Sequence, residues 1–532
     1  MAEGYRILPA GDEAILVELA DLKATLALVS GLRDAALAGV KDLVPAARTV
    51  LISFDPNQTT AAQLALVVSK IDQTQDIILR GRVYEIPVFY DGEDLGEVAG
   101  ILGWSVEALI ERHTNALYTV AFTGFTPGFA YMVCDDPELN VPRRSNPRKR
   151  IPAGSVALAG QYGGIYPSES PGGWQLLGTT ALKMWDTSRE RAALLAPGDR
   201  VRFFSAAKTL PETAPAHSED SPTPGVQTSG LLVTRADRPA LYQDFGRLGH
   251  ADQGVSQSGA LDRSSLRLAN LLVGNAARSA AIEIPFGGFA FRADRPTTAA
   301  VTGAHCELTI RLANGLRIRA PFDGAFAMDA GDELILDAPS AGVMSYLAIR
   351  GGFDVETVLG SASTDLLAKL GPSAIGVGSV LRPGELPASS VAIVTGKSVP
   401  LGCASETVTL DVNPGPRAGW FDPDAIKILF SQEWSVTADT SRIGMRLSGI
   451  EPLRRCEAGE LASEGTVPGA IQVPHNGQPV VFLRDHPLTG GYPVIAVVAT
   501  HHLDLAGQIP IGARVRFRAI DPASFQLQGN CA

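Results

Sequence analysis

The chain has 532 residues, of which 45% are hydrophobic and 19% are charged, and its formal net charge is −11. This length is too great for a single hydrophobic core, so several domains are expected. The acidic balance argues against nucleic acid or an anionic membrane surface as the main partner. The five cysteines form no CxxC pair, which indicates neither a zinc site nor a disulfide framework. The sequence shows neither a secretory signal nor 18 uninterrupted apolar residues, and it therefore predicts a cytoplasmic protein.

Residues 1–85 predict a small α+β domain. Apolar runs at 13–19 and 47–55 are typical of strands, and the spacing of apolar residues at 22–39 and 60–73 is typical of helices.

From residue 86 onward, short apolar runs alternate with Gly and Pro turns, a pattern that favours β-barrels or sandwiches. We predict one β-barrel over 86–204 and a second, two-lobed β-rich region over 231–525. Between them, residues 205–230 are rich in Pro, Ser, Thr and Ala, which predicts a flexible linker. The clearest helix of the second region lies at 261–274, with Asp262 as its N-cap and Gly274 as its end.

Two segments, 152–203 and 467–517, carry the same order of motifs. Each begins with a Pro/Gly-initiated strand, continues through a Gly-Gly-aromatic turn, and ends in a strand that contains Arg-Val-Arg-Phe. Chance similarity of β-turns is the alternative, but the shared order favours two barrels of common ancestry, one on each side of the linker.

Several familiar motifs are incomplete. "TGKS" at 395–398 lacks the first glycine of a phosphate-binding loop, and "GVSQS" at 254–258 lacks the second glycine of a nucleophile elbow. There is no Met-Lys-Met for biotin attachment. His501 and His502 are adjacent, and on a strand their side chains would point to opposite faces, so no metal site is predicted.

Three polar, Gly-rich stretches remain as candidate sites, at 142–152, 242–262 and 463–493. Guanidinium groups pair with planar anions, whereas polar residues on tight turns also form purely structural networks, and arginine clusters also form solvated surface. The candidates are Arg144 and Arg150 for anion binding, Asp244 and Asp262 as polar anchors, and His475, Gln478, Asp485 and Tyr492 as catalytic residues of a second-barrel pocket. "GFTPGFAYM" at 124–132 is predicted to form a rigid pocket wall on the first barrel.

These motifs resemble a known family. "AFTGFTPGFAYM", "PRRSNPRKRIPAGSVALAG" and "SPGGWQLLG" resemble the B subunit of the bacterial ATP-dependent 5-oxoprolinase. "LYQDFGRLGHADQGVSQSGALD" and "GAIQVPHNGQPVVFL" resemble its C subunit. The same pair resembles the carboxyltransferase region of urea carboxylase (urea amidolyase) and the Kip inhibitor-type proteins.

The resemblance implies tandem cyclophilin-like β-barrels in a mainly β protein that also carries the small N-terminal α+β domain. It implies opening of the 5-oxoproline lactam to glutamate with ATP and Mg²⁺, a separate A-type subunit as partner, and no covalent biotin. A homo-oligomer remains open. The chain departs from the family pattern at Tyr162-Gly163, Thr179, Val494, Thr500 and His502, so the identity of the lactam or urea-like substrate also remains open.

Two other functions stay open on the sequence. One is a carboxyltransferase that receives carboxyl-biotin from a biotin carboxylase. The other is a non-enzymatic regulator that binds a histidine kinase, since relatives include a kinase inhibitor.

Overall fold

The fold is known from a computed structural model that describes residues 4–73, 81–206, 229–393, 401–457, 459, 461–521 and 524–525. The described chain forms a small N-terminal domain, a first β-barrel, a middle lobe of two sheets, and a second β-barrel. This confirms a mainly β fold with tandem barrels and an N-terminal α+β part. Most of the predicted linker at 205–230 lies outside the described residues. Among the described helices, none is both long and apolar enough to cross a membrane.

The N-terminal domain is a four-stranded antiparallel sheet in the order β1-β2-β4-β3, packed against two helices. Its elements are β1 (Tyr5–Pro9), β2 (Ala14–Leu19), α1 (Leu22–Asp34), β3 (Val40–Pro45), β4 (Thr49–Phe54) and α2 (Ala61–Val68). The four predicted elements of this domain are confirmed. Both helices begin where the sequence offers an N-cap: the side chain of Asp21 caps α1, and Thr60 forms a capping box with Gln63 on α2.

The first barrel is a seven-stranded sheet in the order β12-β9-β10-β7-β6-β13-β5. A bridge between Phe89 and Thr179 brings its two edges together. Its elements are β5 (Val83–Val88), α3 (Leu95–Leu102), α4 (Val106–Asn115), β6 (Leu117–Thr123), β7 (Ala130–Cys134), β8 (Arg148–Ile151), β9 (Ser155–Ala159), β10 (Tyr162–Ile165), β11 (Ser170–Gly172), β12 (Gln175–Thr179) and β13 (Arg200–Ser205).

The middle lobe packs a six-stranded sheet and a five-stranded sheet around one core, with helix α5 on the second sheet. Its elements are β14 (Leu231–Ala236), β15 (Leu241–Gln243), α5 (Arg263–Leu272), β16 (Ala281–Pro285), β17 (Phe289–Arg292), β18 (Thr297–His305), β19 (Leu308–Arg311), β20 (Arg317–Arg319), β21 (Ala325–Met328), β22 (Glu333–Leu336), β23 (Ala341–Ile349) and β24 (Val380–Leu381). Asp262 caps α5, and Gly274 follows it with φ of +81°, as predicted.

The second barrel is closed, in the order β25-β32-β29-β30-β27-β26-β33. Its elements are β25 (Thr407–Pro414), α6 (Pro423–Ser431), β26 (Trp434–Val436), β27 (Gly444–Ser448), β28 (Glu464–Gly465), β29 (Ala470–Gln472), β30 (Val480–Phe482), β31 (Thr489–Gly490), β32 (Val494–Val498), α7 (Leu503–Ala506) and β33 (Arg514–Ala519).

The two barrels have the same strand connectivity, which confirms the predicted repeat. In the first, β13 pairs in parallel with β5 and antiparallel with β6; in the second, β33 pairs in parallel with β25 and antiparallel with β26. The repeated motifs occupy equivalent strands, since β9, β12 and β13 match β29, β32 and β33. The turns before β9 and β29 both use a glycine of positive φ, Gly154 and Gly469.

The two halves of the chain, before and after the linker, dock through buried polar contacts. Arg417 of the second barrel forms ion pairs with Glu464 and, at 3.1 Å, with Glu18 of the N-terminal domain. The backbone N–H of Gly128 donates to the carbonyl of Gln253 at 2.9 Å. These contacts hold the N-terminal domain and a loop of the first barrel against the second half.

Candidate functional site at the junction of the two halves

The "GFTPG" turn, residues 124–128, lies between a loop of the middle lobe and a loop of the second barrel. A Cβ on Gly124 would lie 2.5 Å from Oγ1 of Thr489, and a Cβ on Gly254 would lie 2.9 Å from the carbonyl oxygen of Thr126. Only glycine permits this close approach. The neighbouring Phe125 adopts a φ of +66°, a strained conformation for a bulky residue. The turn is therefore a rigid wall, as predicted, held in place by the opposite half.

This wall borders a cleft of about 1000 Å³, which we call the central cleft. It opens between the first barrel and the second barrel, with one residue, Ala47, from the N-terminal domain. Its lining includes Phe122, Phe125, Tyr131, Arg143, Arg144 and Tyr162 from the first half, and Arg455, His475, Thr489 and Tyr492 from the second half. Neither half alone encloses this space.

One side of the central cleft is aromatic. Phe122 stacks on Tyr131 with ring centroids 4.4 Å apart, and Tyr162 meets both rings edge-on. Phe125 is 37% exposed and packs edge-on against Phe129. Burial raises the pKa of Tyr131 to about 12, so its hydroxyl stays protonated at neutral pH. These rings offer an apolar surface for a small planar ligand.

The arginines of the cleft differ in what they already bind. Arg144 forms an ion pair at 2.5 Å with Asp94, a carboxylate that is 2% exposed. By contrast, Arg143 forms no hydrogen bond or ion pair with any residue that the structure describes. Its positive charge acts on the nearby hydroxyl of Tyr131. Arg143 is thus the guanidinium of this motif whose donors are all available to a ligand, whereas Arg144 is held by Asp94 and keeps a buried Nε without a partner among the described residues.

Arg455 supplies a second available guanidinium from the other half. One terminal nitrogen donates to the carbonyl of Val473, and the group lies 5.8 Å from the ring of Tyr492. Its Nε is buried and has no partner among the described residues. Burial lowers its pKa. A buried N–H without an acceptor is costly, so an anionic ligand would be stabilised here.

His475 and Tyr492 lie at the rim, with ring centroids 5.7 Å apart in an edge-to-face arrangement. His475 is exposed, and Tyr492 is 41% exposed. The structure therefore brings three of the sequence candidates, Arg144, His475 and Tyr492, to one cleft. It does so across the junction of the halves rather than within the second barrel.

The other second-barrel candidates do not reach the central cleft. The side chain of Gln478 binds the backbone of Gly449. It accepts from the N–H of Gly449 at 2.7 Å and donates to the carbonyl of Gly449 at 3.3 Å. Asp485 is fully buried, where it pairs with Arg442 at 3.0 Å and accepts from the hydroxyl of Ser258 at 2.7 Å. Their observed contacts hold loops together.

The remaining three candidates also lie elsewhere. Arg150 is 77% exposed and pairs with Glu169 on the surface. Asp244 accepts from the hydroxyls of Ser361 and Ser363, both at 2.6 Å, and so fixes the 361–363 turn. Asp262 caps α5; burial, and then the charge of Asp504, raises its pKa to about 6. Both aspartates accept hydrogen bonds that fix local backbone, and neither lies in the central cleft.

The expectation for the adjacent histidines needs correction. Residues Thr500–His502 form a 3₁₀ turn rather than a strand, so both imidazoles face Asp411, at 3.1 Å for His501 and 3.8 Å for His502. Arg518 already binds both oxygens of this carboxylate, and Nδ1 of His502 accepts from the N–H of Asp411. The cluster is therefore engaged by protein groups.

The sequence indicates no disulfide framework, but one of the cysteines is disulfide-bonded. Cys134, Cys306 and Cys403 are free thiols, whereas Cys456 is disulfide-bonded.

Comparisons with known proteins place both halves. The sequence profile described as "Carboxyltransferase domain, subdomain C and D" matches residues 5–195, and that described as "Carboxyltransferase domain, subdomain A and B" matches residues 253–519. The chain belongs to the carboxyltransferase domain family.

Individual relatives agree with this assignment. The C subunit of the 5-oxoprolinase of Escherichia coli K12 is 37% identical over 54% of this chain and 90% of its own length. The B subunit of the 5-oxoprolinase of Escherichia coli O157:H7 is 43% identical over 25% of this chain and 62% of its own length. The crystal structure of TTHA0988 superposes with a TM-score of 0.80 at 36% identity, covering 95% of this chain and 99% of the other.

In this carboxyltransferase-family chain, the central cleft lies where the two family regions meet. The subdomain C and D region contributes Arg143 and the aromatic side, and the subdomain A and B region contributes Arg455, His475 and Tyr492. Sequence reasoning missed Arg143, although it stands in the same motif as Arg144, and it missed Arg455, which no motif marks.

Proposed function

We propose that the chain is the fused B–C component of an ATP-dependent 5-oxoprolinase, which opens the cyclic amide of 5-oxoproline to glutamate together with an A-type subunit. One observation carries the proposal: a single cleft is built jointly by the half similar to the B subunit and the half similar to the C subunit of that enzyme. A fusion keeps those two halves together in one chain.

The cleft suits a small lactam that carries a carboxylate. Arg143 and Arg455 offer unengaged N–H donors, and guanidinium groups bind carboxylates in paired, charge-assisted hydrogen bonds. The rings of Phe125, Tyr131 and Tyr162 give an apolar surface for the lactam ring. His475 at the rim is positioned to exchange a proton with a bound ligand or with water.

A lactam is a resonance-stabilised amide and resists attack by water. ATP would supply a phosphoryl group that activates the amide oxygen, and we assign none of the cleft residues to ATP or Mg²⁺. What the chain's own residues do is bind the carboxylate, orient the ring, and restrict water around it.

The test is turnover of isotopically labelled 5-oxoproline, followed by mass spectrometry of glutamate and by release of ADP. We expect glutamate only when the chain, an A-type subunit and ATP are all present. No glutamate with all three present would contradict the proposal. Carboxylation of a urea-like acceptor with a biotin carboxylase and carboxyl-biotin would instead support the carboxyltransferase alternative.

A matched pair of variants tests the cleft itself. Arg455→Gln removes the cleft guanidinium with the unpartnered Nε, and Arg454→Gln removes its exposed neighbour, which does not line the central cleft. We expect a loss of roughly 10-fold or more in kcat/KM for the first variant, by loss of a charged hydrogen bond, and little change for the second. Equal activities would remove Arg455 from the site.

A further inference from the structure

A second cleft, of about 380 Å³, lies on the other side of the second barrel's loops, where the N-terminal domain meets α5. One wall carries the three arginines Arg263, Arg278 and Arg484, and the opposite wall carries Asp12, Glu13, Lys41 and Asp42 from the N-terminal domain. The residues of this cleft differ from those of the central cleft.

The three arginines have few partners for their charge. Arg484 is 9% exposed, and its ion pair with Asp504 is long, at 3.3 Å. Arg263 donates to two backbone carbonyls, but its Nε is buried without a partner among the described residues. Arg278 contacts the ring of Phe245 at 5.2 Å and forms no hydrogen bond or ion pair within the part of the chain that the structure describes.

The carboxylates nearby are already engaged. Asp504 accepts from the backbone N–H of Arg263 at 3.1 Å, and from the N–H and hydroxyl of Ser264 at 3.0 and 2.6 Å. Among the described residues, Asp504 is the one carboxylate that forms an ion pair with any of these three guanidinium groups, through Arg484, and it is itself bound to the start of a helix. In agreement, burial, together with the charges of Arg484 and Arg278, lowers the pKa of Arg263 well below its usual range.

The acidic groups of the opposite wall do not compensate for this charge. Glu13 pairs with Lys41 at 2.5 Å, and Asp12 accepts from the N–H and hydroxyl of Thr500. Burial raises the pKa of Asp42 to about 6, and that carboxylate accepts from the N–H of Leu43. Each of these acidic side chains is thus bound by a group other than the three arginines, and the arginine wall remains short of anionic partners.

We propose that the second cleft is a binding site for a small anion carrying a phosphate or carboxylate group, held by Arg263, Arg278 and Arg484. Buried guanidinium groups that crowd together are stabilised when a multivalent oxyanion accepts their N–H donors. The buried Nε of Arg263 and the unengaged donors of Arg484 offer the anion desolvated N–H groups, and the exposed Arg278 adds a third guanidinium to the same cleft.

The test is isothermal titration of the intact chain with inorganic phosphate and, separately, with glutamate, at low ionic strength and in the absence of ATP and of any A-type subunit. We expect saturable one-site binding of at least one of them, which identifies the phosphate or the carboxylate source. Arg278→Gln should weaken that binding by roughly 10-fold or more, because the anion loses one of its three guanidinium partners. A tenfold change in affinity corresponds to about 1.4 kcal/mol. Arg278 is exposed, so this variant should fold normally.

Two control variants locate the binding. Arg150→Gln changes an exposed, paired arginine on the first barrel, and Arg454→Gln changes an exposed arginine that lines neither the central cleft nor the second cleft. Neither should alter the affinity. The proposal is overturned if neither ligand binds, if Arg278→Gln binds as tightly as the wild type, or if Arg150→Gln or Arg454→Gln causes the larger loss. Because no turnover is measured, failure here would leave the lactam-opening proposal standing.

Discussion

Replacing Arg143 and Arg144, one at a time, by Gln separates ligand binding from folding at adjacent positions. Arg143 has no partner in the described structure and lies on the exposed side of the central cleft. Its replacement should change the free energy of unfolding by no more than about 0.5 kcal/mol. If it binds the substrate carboxylate, loss of a charged hydrogen bond of roughly 1.5–3 kcal/mol should lower kcat/KM by roughly 10- to 150-fold.

Arg144→Gln should show the opposite pattern. It breaks the 2.5 Å ion pair with Asp94, but that buried carboxylate keeps two bonds from Arg148, both at 2.8 Å, and one from the N–H of Leu176 at 2.7 Å. With most partners retained, we expect the unfolding free energy to fall by about 1–3 kcal/mol. Activity measured well below the unfolding temperature should fall less than in Arg143→Gln.

The assay is kcat/KM for 5-oxoproline with an A-type subunit and ATP, beside denaturant unfolding of each variant. The reasoning is refuted if Arg144→Gln loses activity without losing stability while Arg143→Gln keeps full activity. That result would mean that the paired arginine, rather than the unpaired one, binds the substrate.

Three other outcomes are expected. Arg417→Met should destabilise the chain by about 3–5 kcal/mol in denaturant unfolding, because it leaves the buried Glu464 without its partner, and an equal stability would show that the pair contributes nothing. The folded-state pKa of Asp262 is raised to about 6, so its contribution to stability is present below the usual carboxyl pKa and is lost as pH rises through 6. Wild type should accordingly gain stability relative to Asp262→Asn between pH 7 and pH 4 in thermal unfolding, and a constant difference would contradict this. Protease cleavage within 207–228 should leave two fragments that elute together in gel filtration, because the halves dock through buried contacts such as Arg417 with Glu18; separate elution would contradict the docking.

Local pattern was sufficient for several elements. The N-terminal helices and the helix that Asp262 caps were predicted because their apolar spacing and capping residues act within a few positions. The two equivalent barrels were predicted because the motif order repeats. Helices α3 and α4 were missed within a β-rich region, since α3 has only eight residues and contains two glycines.

The site depended on contacts that are distant in sequence. Asp94 engages Arg144 from 50 positions away, and this pairing holds Arg144 in place while the donors of Arg143 stay available. The burial of Asp485 follows from its partners Arg442 and Ser258, on other loops. The meeting of Arg143 with Arg455 in one cleft depends on how the halves dock, which no local spacing encodes.

The most direct test is a crystal structure of the intact chain soaked with 5-oxoproline. We predict an ordered ligand in the central cleft, with its carboxylate within about 3 Å of a guanidinium nitrogen of Arg143 or Arg455, and its ring against Phe125 or Tyr162. A central cleft that remains empty while 5-oxoproline is ordered elsewhere on the chain, or a ligand there that contacts neither arginine, would contradict the account.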